Sequence, residues 1–194
     1  MQQLHLFMVL LGGVPEGRKT EQHDIFFGIG TSLADLREEI IASWPEAGKS
    51  LHIDGWREVN HVDGFTVIAE TKQPATATDK DRLFFINLGG YKKDELEEYH
   101  YKMVCVAEDR GGAIQKAKQT AFFKHTGFKG AESHVDDKYG IDVDEVYEIE
   151  DILSTDIRNR YSIRLKADPP GHNDDIQLGY ITMSKLLTMK KGNQ

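Results

Sequence analysis

Leu11-Gly12-Gly13 is followed ten residues later by His23, in Glu21-Gln22-His23, and the arrangement returns as Leu88-Gly89-Gly90 and Glu98-Tyr99-His100. Each copy follows an apolar run, Phe7 to Leu10 and Phe84 to Asn87. The second copy lies 77 residues after the first, from Gly12 to Gly89 and from His23 to His100. A period that long is a domain duplication rather than a solenoid repeat. Two similar halves usually pack about a pseudo-two-fold axis.

Working outward through the first half, Leu4 to Leu11 is a continuous apolar run that predicts a central strand, closed by a turn at Gly12-Gly13. Val14 to Thr20 is a surface loop. Asp24 to Gly30 predicts a second strand. Thr31 and Ser32 offer a helix N-cap, and Ser32 with Asp35 has capping-box spacing. Leu33, Leu36, Ile40, Ile41 and Trp44 share one helical face, and Pro45 and Gly48 end the helix. Leu51 to Trp56 follows. The runs Trp56 to Val62 and Phe65 to Glu70 flank Asp63-Gly64, the signal for a tight hairpin.

The second half repeats this order. Leu83 to Leu88 and Tyr101 to Ala107 predict strands. Asp109 caps a helix carrying Ile114, Ala117, Ala121 and Phe122, ended by Gly127 and Gly130. Ser133-His134-Val135-Asp136-Asp137 then aligns with Leu51-His52-Ile53-Asp54-Gly55 at an offset of 82, which pairs Val59 with Ile141 and Phe65 with Tyr147. The expected organisation is a first repeat over 1–74, a linker over 71–81, a second repeat over 82–165 and a C-terminal extension over 166–194. Tyr161 to Leu165 is a further strand, Ile176 to Leu187 a last strand or short helix, and Lys190 to Gln194 a frayed tail. The fold class is α+β: two ββαββ units, a mixed or mainly antiparallel sheet, and helices on one face.

The chain has 194 residues, is 39% apolar and 29% charged, and carries a net charge of −8. That balance fits a globular protein and opposes a nucleic-acid or anionic-membrane surface, both of which need a basic footprint. The single cysteine, Cys105, sits in the apolar run Met103 to Ala107 and reads as an inert core thiol. One cysteine makes no internal disulfide, so a reducing, cytoplasmic location is expected. Leu4 to Leu11 is too short to span a bilayer and lacks the layout of a signal peptide.

The run ending in Leu-Gly-Gly, His52 to Trp56, Val62 to Gly64 and Phe85 to Tyr91 together resemble a bacterial family catalogued only as domain of unknown function 1543. The resemblance spans about Leu4 to Leu165. It implies a bacterial soluble protein built from one or two copies of this unit, with no activity, cofactor or catalytic residue to carry over. Within the duplication Gly55 and Trp56 become Asp137 and Lys138, so that turn is altered in the second copy.

Glycines after a strand can bring a phosphate near backbone N–H groups, but neither Gly12-Gly13 nor Gly89-Gly90 leads into a helix and no Gly-Lys-Ser/Thr follows. A turn or a close backbone approach is the preferred reading. Glu21 and His23 are two apart in an extended segment and share a face, as do Glu98 and His100, His52 and Asp54, and His134 and Asp136. Imidazole and carboxylate are ligand types for zinc, iron or manganese and partners in proton transfer. No His-Glu-x-x-His occurs, so no metal ligand is assigned, and the cofactor is left unknown. The competing reading makes each histidine a brace bonded to a nearby carboxylate or carbonyl. His5, His61, His125 and His172 are read as locally satisfied or surface residues. The acidic stretch Asp142 to Asp151 is a solvated strand face.

The sequence therefore favours a small-molecule or protein binding module with a site at the seam of the repeats, formed by Gly12, Gly13, His23, His52, Asp54, Gly89, Gly90, His100, His134 and Asp136. The alternative is a metal- or His/Asp-dependent, hydrolase-like enzyme using the repeated His and Asp residues. A small-molecule ligand and a homodimer are compatible partners; nucleic acid and membrane are not. Convergence decides between site and brace: a site needs His23 and His52 to meet beside Asp54.

Overall fold

The computed structural model describes residues 3–73, 80–91, 96–119, 141–168 and 173–189. The chain divides into two compact units, residues 1–74 with 153–194, and residues 75–152. Residues 153–165, which the sequence assigns to the second repeat, lie in the first unit. The helix-ending Gly127 and Gly130, His125, His134, Asp136, His172, the tail and most of the 71–81 linker fall outside the described residues.

In the first unit, β1 (His5–Gly13) is a central strand. It pairs antiparallel with β2 (Gln22–Gly30) on one side and β3 (His52–Glu58) on the other. β10 (Gln177–Thr182) adds to β3, giving the order β10-β3-β1-β2. β4 (His61–Val62), β5 (Phe65–Thr71) and β9 (Tyr161–Ala167) form a second antiparallel sheet. Asp63 and Gly64, at φ 51° and 81°, make the tight hairpin between β4 and β5, a turn that requires positive φ at both central positions.

β1 is paired on both edges, and its side chains alternate between the two faces of the sheet. Phe7, Val9 and Leu11 alternate toward one side of β1. There they bury with Phe26, Leu36, Ile40, Leu51 and Ile53 under the helical layer. That layer is a 3-10 turn, Leu33–Leu36, then α1 (Arg37–Ser43), joined from the other end of the chain by Met183 and Leu186. The expected capping box takes a different form: Ser32 Oγ donates to the Asp35 carboxylate at 2.9 Å instead of capping a backbone N–H. The first turn is accordingly 3-10, and α1 begins only at Arg37.

In the second unit, β6 (Arg82–Tyr91) is the central strand between β7 (Glu98–Ala107) and β8 (Ile141–Glu148), both antiparallel. α2 (Arg110–Gln119) is capped as its sequence predicts, the Gly112 N–H donating to Asp109 Oδ1 at 2.7 Å. Ala113 and Ala117 pack with Phe84, Ile86, Leu88 and Cys105, so the thiol is buried. α3 (Ile149–Ile152) ends this unit. α4 (Thr155–Arg160) and α5 (Met183–Met189) belong to the first.

Two sequence expectations change. Gly12-Gly13 and Gly89-Gly90 are not turns; they lie inside β1 and β6, which run on through them. The offset of 82 is also not the register of the sheets. Gly12 faces His52 and Leu11 faces Ile53, whereas Gly89 faces Asp142 and Leu88 faces Val143. Asp142 and Val143 thus pair with Gly89 and Leu88 on β6, as His52 and Ile53 pair with Gly12 and Leu11 on β1. The Ser133–Asp137 segment itself lies outside the described residues.

Among the described residues no helix is long and apolar enough to cross a membrane.

Ile40 is fully buried beneath β1. Ile40→Ala is expected to cost the first unit about 2–5 kcal/mol, read as a lowered urea midpoint of the full chain. Glu39 accepts a hydrogen bond from Ser154 Oγ at 3.2 Å, yet burial pushes its carboxyl above the ordinary 4.5 more than that bond lowers it. The folded chain then holds this proton more tightly than the unfolded chain, so stability falls as pH rises through the window just above 4.5. Glu39→Gln is expected to flatten that fall in urea midpoints taken across the window.

Candidate functional site

Residues directly opposite one another in neighbouring strands point to the same side of a sheet. His23 on β2 and His52 on β3 both stand opposite Gly12 on β1. A row His23–Gly12–His52 therefore crosses three strands, on the face away from the helical layer. β2 and β3 lie about 10 Å apart across β1, twice the inter-strand spacing. With no side chain at Gly12, the two imidazoles lean over the middle strand. A Cβ at Gly12 would overlap both His52 Nε2 and Asp54 Oδ2, which explains the glycine as a close-approach position. Gly13 points the other way, where a Cβ would meet Ala47 at 2.8 Å, so its role is packing.

Asp54 reaches the row through a β-bulge. Leu10 pairs with Gly55 and Leu11 with Ile53, and on the other side Leu178 pairs with Gly55 and Ile181 with Ile53. Asp54 is left without a cross-strand partner in either neighbour, and such an extra residue re-aims its side chain.

Glu21, just before β2, completes the group. His52 Nε2 lies 3.1 Å from Glu21 Oε1 and 3.2 Å from Asp54 Oδ1. His23 Nε2 lies 3.4 Å from Asp54 Oδ2 and 3.7 Å from Glu21 Oε2. The four side chains form a closed ring in which imidazole and carboxylate alternate and each carboxylate bridges both histidines.

The inner wall of the ring is buried and its mouth is open. The His52 side chain is 4% exposed, against 45% for both His23 and Glu21. Among the described residues, His52 is the buried polar residue. Its Nδ1 sits 2.7 Å from the Ser50 carbonyl oxygen. A carbonyl only accepts, so Nδ1 carries the proton and Nε2 is turned toward two carboxylates. That arrangement is favourable only with a proton or another cation between them. Asp54 Oδ2 adds to this demand: it is buried with no hydrogen-bond partner, and although His23 Nε2 is 3.4 Å away, that approach is not aligned as a hydrogen bond. Tyr180, on edge strand β10, stacks on the His52 ring with centroids 4.3 Å apart and planes at 34°.

The sequence paired Glu21 with His23 and His52 with Asp54; the fold brings the two pairs together. It did not mark Tyr180 or Ser50, since nothing local ties residue 180 to residue 52. Among the described residues no set of three or more His, Cys, Asp and Glu stands as an assembled metal-holding group.

In the second unit Gly89 faces His100 across β7, and His100 Nε2 lies 3.8 Å from Glu98 Oε2. Gly89 faces Asp142 across β8, and the bulge in that pairing falls at Asp144. The row His100–Gly89–Asp142 therefore holds one histidine. Elsewhere in this unit a cavity of about 490 Å³ is lined by Arg82, Glu108, Arg110, Glu145, Glu148 and Asp151, among others. Arg82 Nε pairs with Glu148 at 3.2 Å, while burial still pushes the Glu148 carboxyl up.

Residues 18–69 match the family model described as Domain of Unknown Function (DUF1543). The resemblance read from the sequence holds over that span, which contains Glu21, His23, His52 and Asp54. No curated protein matches the chain. Four chains of solved structures match. One is a crystal structure of a protein Il1583 from Idiomarina loihiensis, 24% identical, covering 93% of this chain and 98% of that one with a TM-score of 0.64. At that identity the likeness speaks for the fold.

Gly12→Ala is expected to force the two imidazoles and Asp54 apart and to destabilise the first unit by about 1–3 kcal/mol, as overpacking does. Thermal unfolding measures the loss, and near-ultraviolet circular dichroism reports release of Tyr180 from His52. Unchanged unfolding and an unchanged tyrosine signal would contradict the close-approach role.

Proposed function

We propose that the protein is a small-ligand binding module and that the Glu21–His23–His52–Asp54 ring of the first unit is its binding site. One observation carries the reading. A buried imidazole, fixed by the Ser50 carbonyl, points its other ring nitrogen, Nε2, at two carboxylates, one of which has a buried oxygen with no hydrogen bond. A brace satisfies its own groups; this ring leaves a demand for a positive or hydrogen-bond-donating ligand. Its open side, His23 and Glu21, gives that ligand an entry. A net charge of −8 adds to the attraction for cations.

The 77-residue spacing and the bulges between Leu10 and Leu11 and between Asn87 and Leu88, themselves 77 residues apart, support descent of both halves from one duplicated unit. On that reading the second copy has lost the buried histidine, and the first keeps the complete set. A single buried thiol suits a cytoplasmic module.

A second reading rests on the same ring. An imidazole beside a shared carboxylate at an open mouth is also the pairing used in general acid–base chemistry. It predicts turnover of a bound substrate that binding alone does not.

Thermal unfolding of the full chain with a series of alkylamines and inorganic cations tests the binding reading. At least one probe is expected to raise the transition of the wild type and to leave Asp54→Asn, which removes the charge but keeps the shape, unmoved. If every probe leaves the wild type unmoved, or moves both proteins alike, the ring is a brace.

A further inference from the structure

Resting on the reading of the ring as a binding site, we propose that its ligand is a divalent transition-metal ion, with His52 and Asp54 as the held donors and His23 and Glu21 closing from the open side.

The donor set is two imidazoles and two carboxylates, the mixture that zinc, manganese and iron accept. His52 is oriented as metal-bound histidines are: Nδ1–H donates to a backbone carbonyl, which fixes the tautomer and aims the Nε2 lone pair inward. The side chain is more than nine-tenths buried, so its direction is set by the fold. Asp54 Oδ2 is buried with no hydrogen bond, and leaving such a group unmet is costly. A metal ion removes that cost and takes Nε2 and the carboxylates as ligands together.

Spacing agrees. Bonds of about 2.0–2.2 Å in a tetrahedral shell place neighbouring donors about 3.3–3.6 Å apart. The imidazole–carboxylate contacts are 3.1, 3.2, 3.4 and 3.7 Å, and each carboxylate meets the two histidines through different oxygens, so one oxygen of each would turn to serve as the single donor. The four donors are not an assembled shell as they stand. The two that would move are the ones able to: His23 and Glu21 are each 45% exposed at the mouth, while His52 is pinned. Gly12 supplies the space above β1, and Tyr180 covers the His52 ring. An organic ammonium satisfies the same charge but must reach an Asp54 oxygen already closed to solvent. A bare ion fits that depth better.

The test uses the full chain, purified without an affinity-tag metal and stripped with chelator. It is titrated with Co²⁺ as a visible-absorption probe, and Zn²⁺ is then added as competitor. The wild type is expected to show d–d bands that saturate at one ion per chain and vanish on adding Zn²⁺. His23→Gln, on the exposed side where folding is least at risk, and Asp54→Asn are each expected to weaken Co²⁺ binding at least tenfold while unfolding cooperatively. No saturable band in the folded wild type overturns the metal, as does binding unchanged in both folded variants. Alkylamines that still stabilise the wild type but not Asp54→Asn would then leave the binding reading standing with a different ligand; no response to either probe would remove both.

Discussion

A missing side chain in the middle of a sheet is the constraint from which the site follows. β1 has a strand on each side, and His23 and His52 flank it in register with Gly12. Two imidazoles on strands about 10 Å apart can share a carboxylate only if the strand between them presents nothing. Any Cβ there would sit on His52 Nε2 and Asp54 Oδ2. The glycine gives up local strand propensity to let the neighbours meet.

The same strands serve two purposes because their side chains alternate. One face of β1 carries Phe7, Val9 and Leu11 into the apolar core beneath α1, and Ile53 of β3 joins them. The other carries the row His23–Gly12–His52. A slip of one residue would turn the ring into the core and the core into solvent, so the apolar face locks the register that assembles the ring. The bulge at Asp54 is compatible with this lock, since pairing resumes on both sides of it.

Electrostatics separates this group from an ordinary set of surface ion pairs. Exposed pairs contribute little and are screened. Here the inner histidine is buried, its orientation is fixed from behind by a backbone carbonyl, and a carboxylate oxygen is closed to water without a hydrogen bond. Buried polar groups left unmet are uncommon in folded proteins. In the second unit Gly89 pairs with His100 on one side and Asp142 on the other, with a bulge between Asn87 and Leu88.

Local physics made much of this legible in the residues themselves. Apolar runs marked β1, β2, β6 and β7. The 3.6-residue spacing of Leu33, Leu36 and Ile40 marked a buried helical face, and Asp63-Gly64 marked a hairpin. The pairs Glu21 with His23 and His52 with Asp54 were visible as two-residue spacings. Tertiary structure alone decided that Gly12 and Gly89 lie within strands, that Asp54 is a bulge, that Asp142 pairs with Gly89, and that Tyr180 covers the ring. The reason is common to all four. A residue's own neighbours in the chain set its propensity and its side-chain period. Which strand lies beside it, in which register, is set by contacts between residues tens to more than a hundred positions apart, and the chemistry of the ring exists only once those strands are side by side.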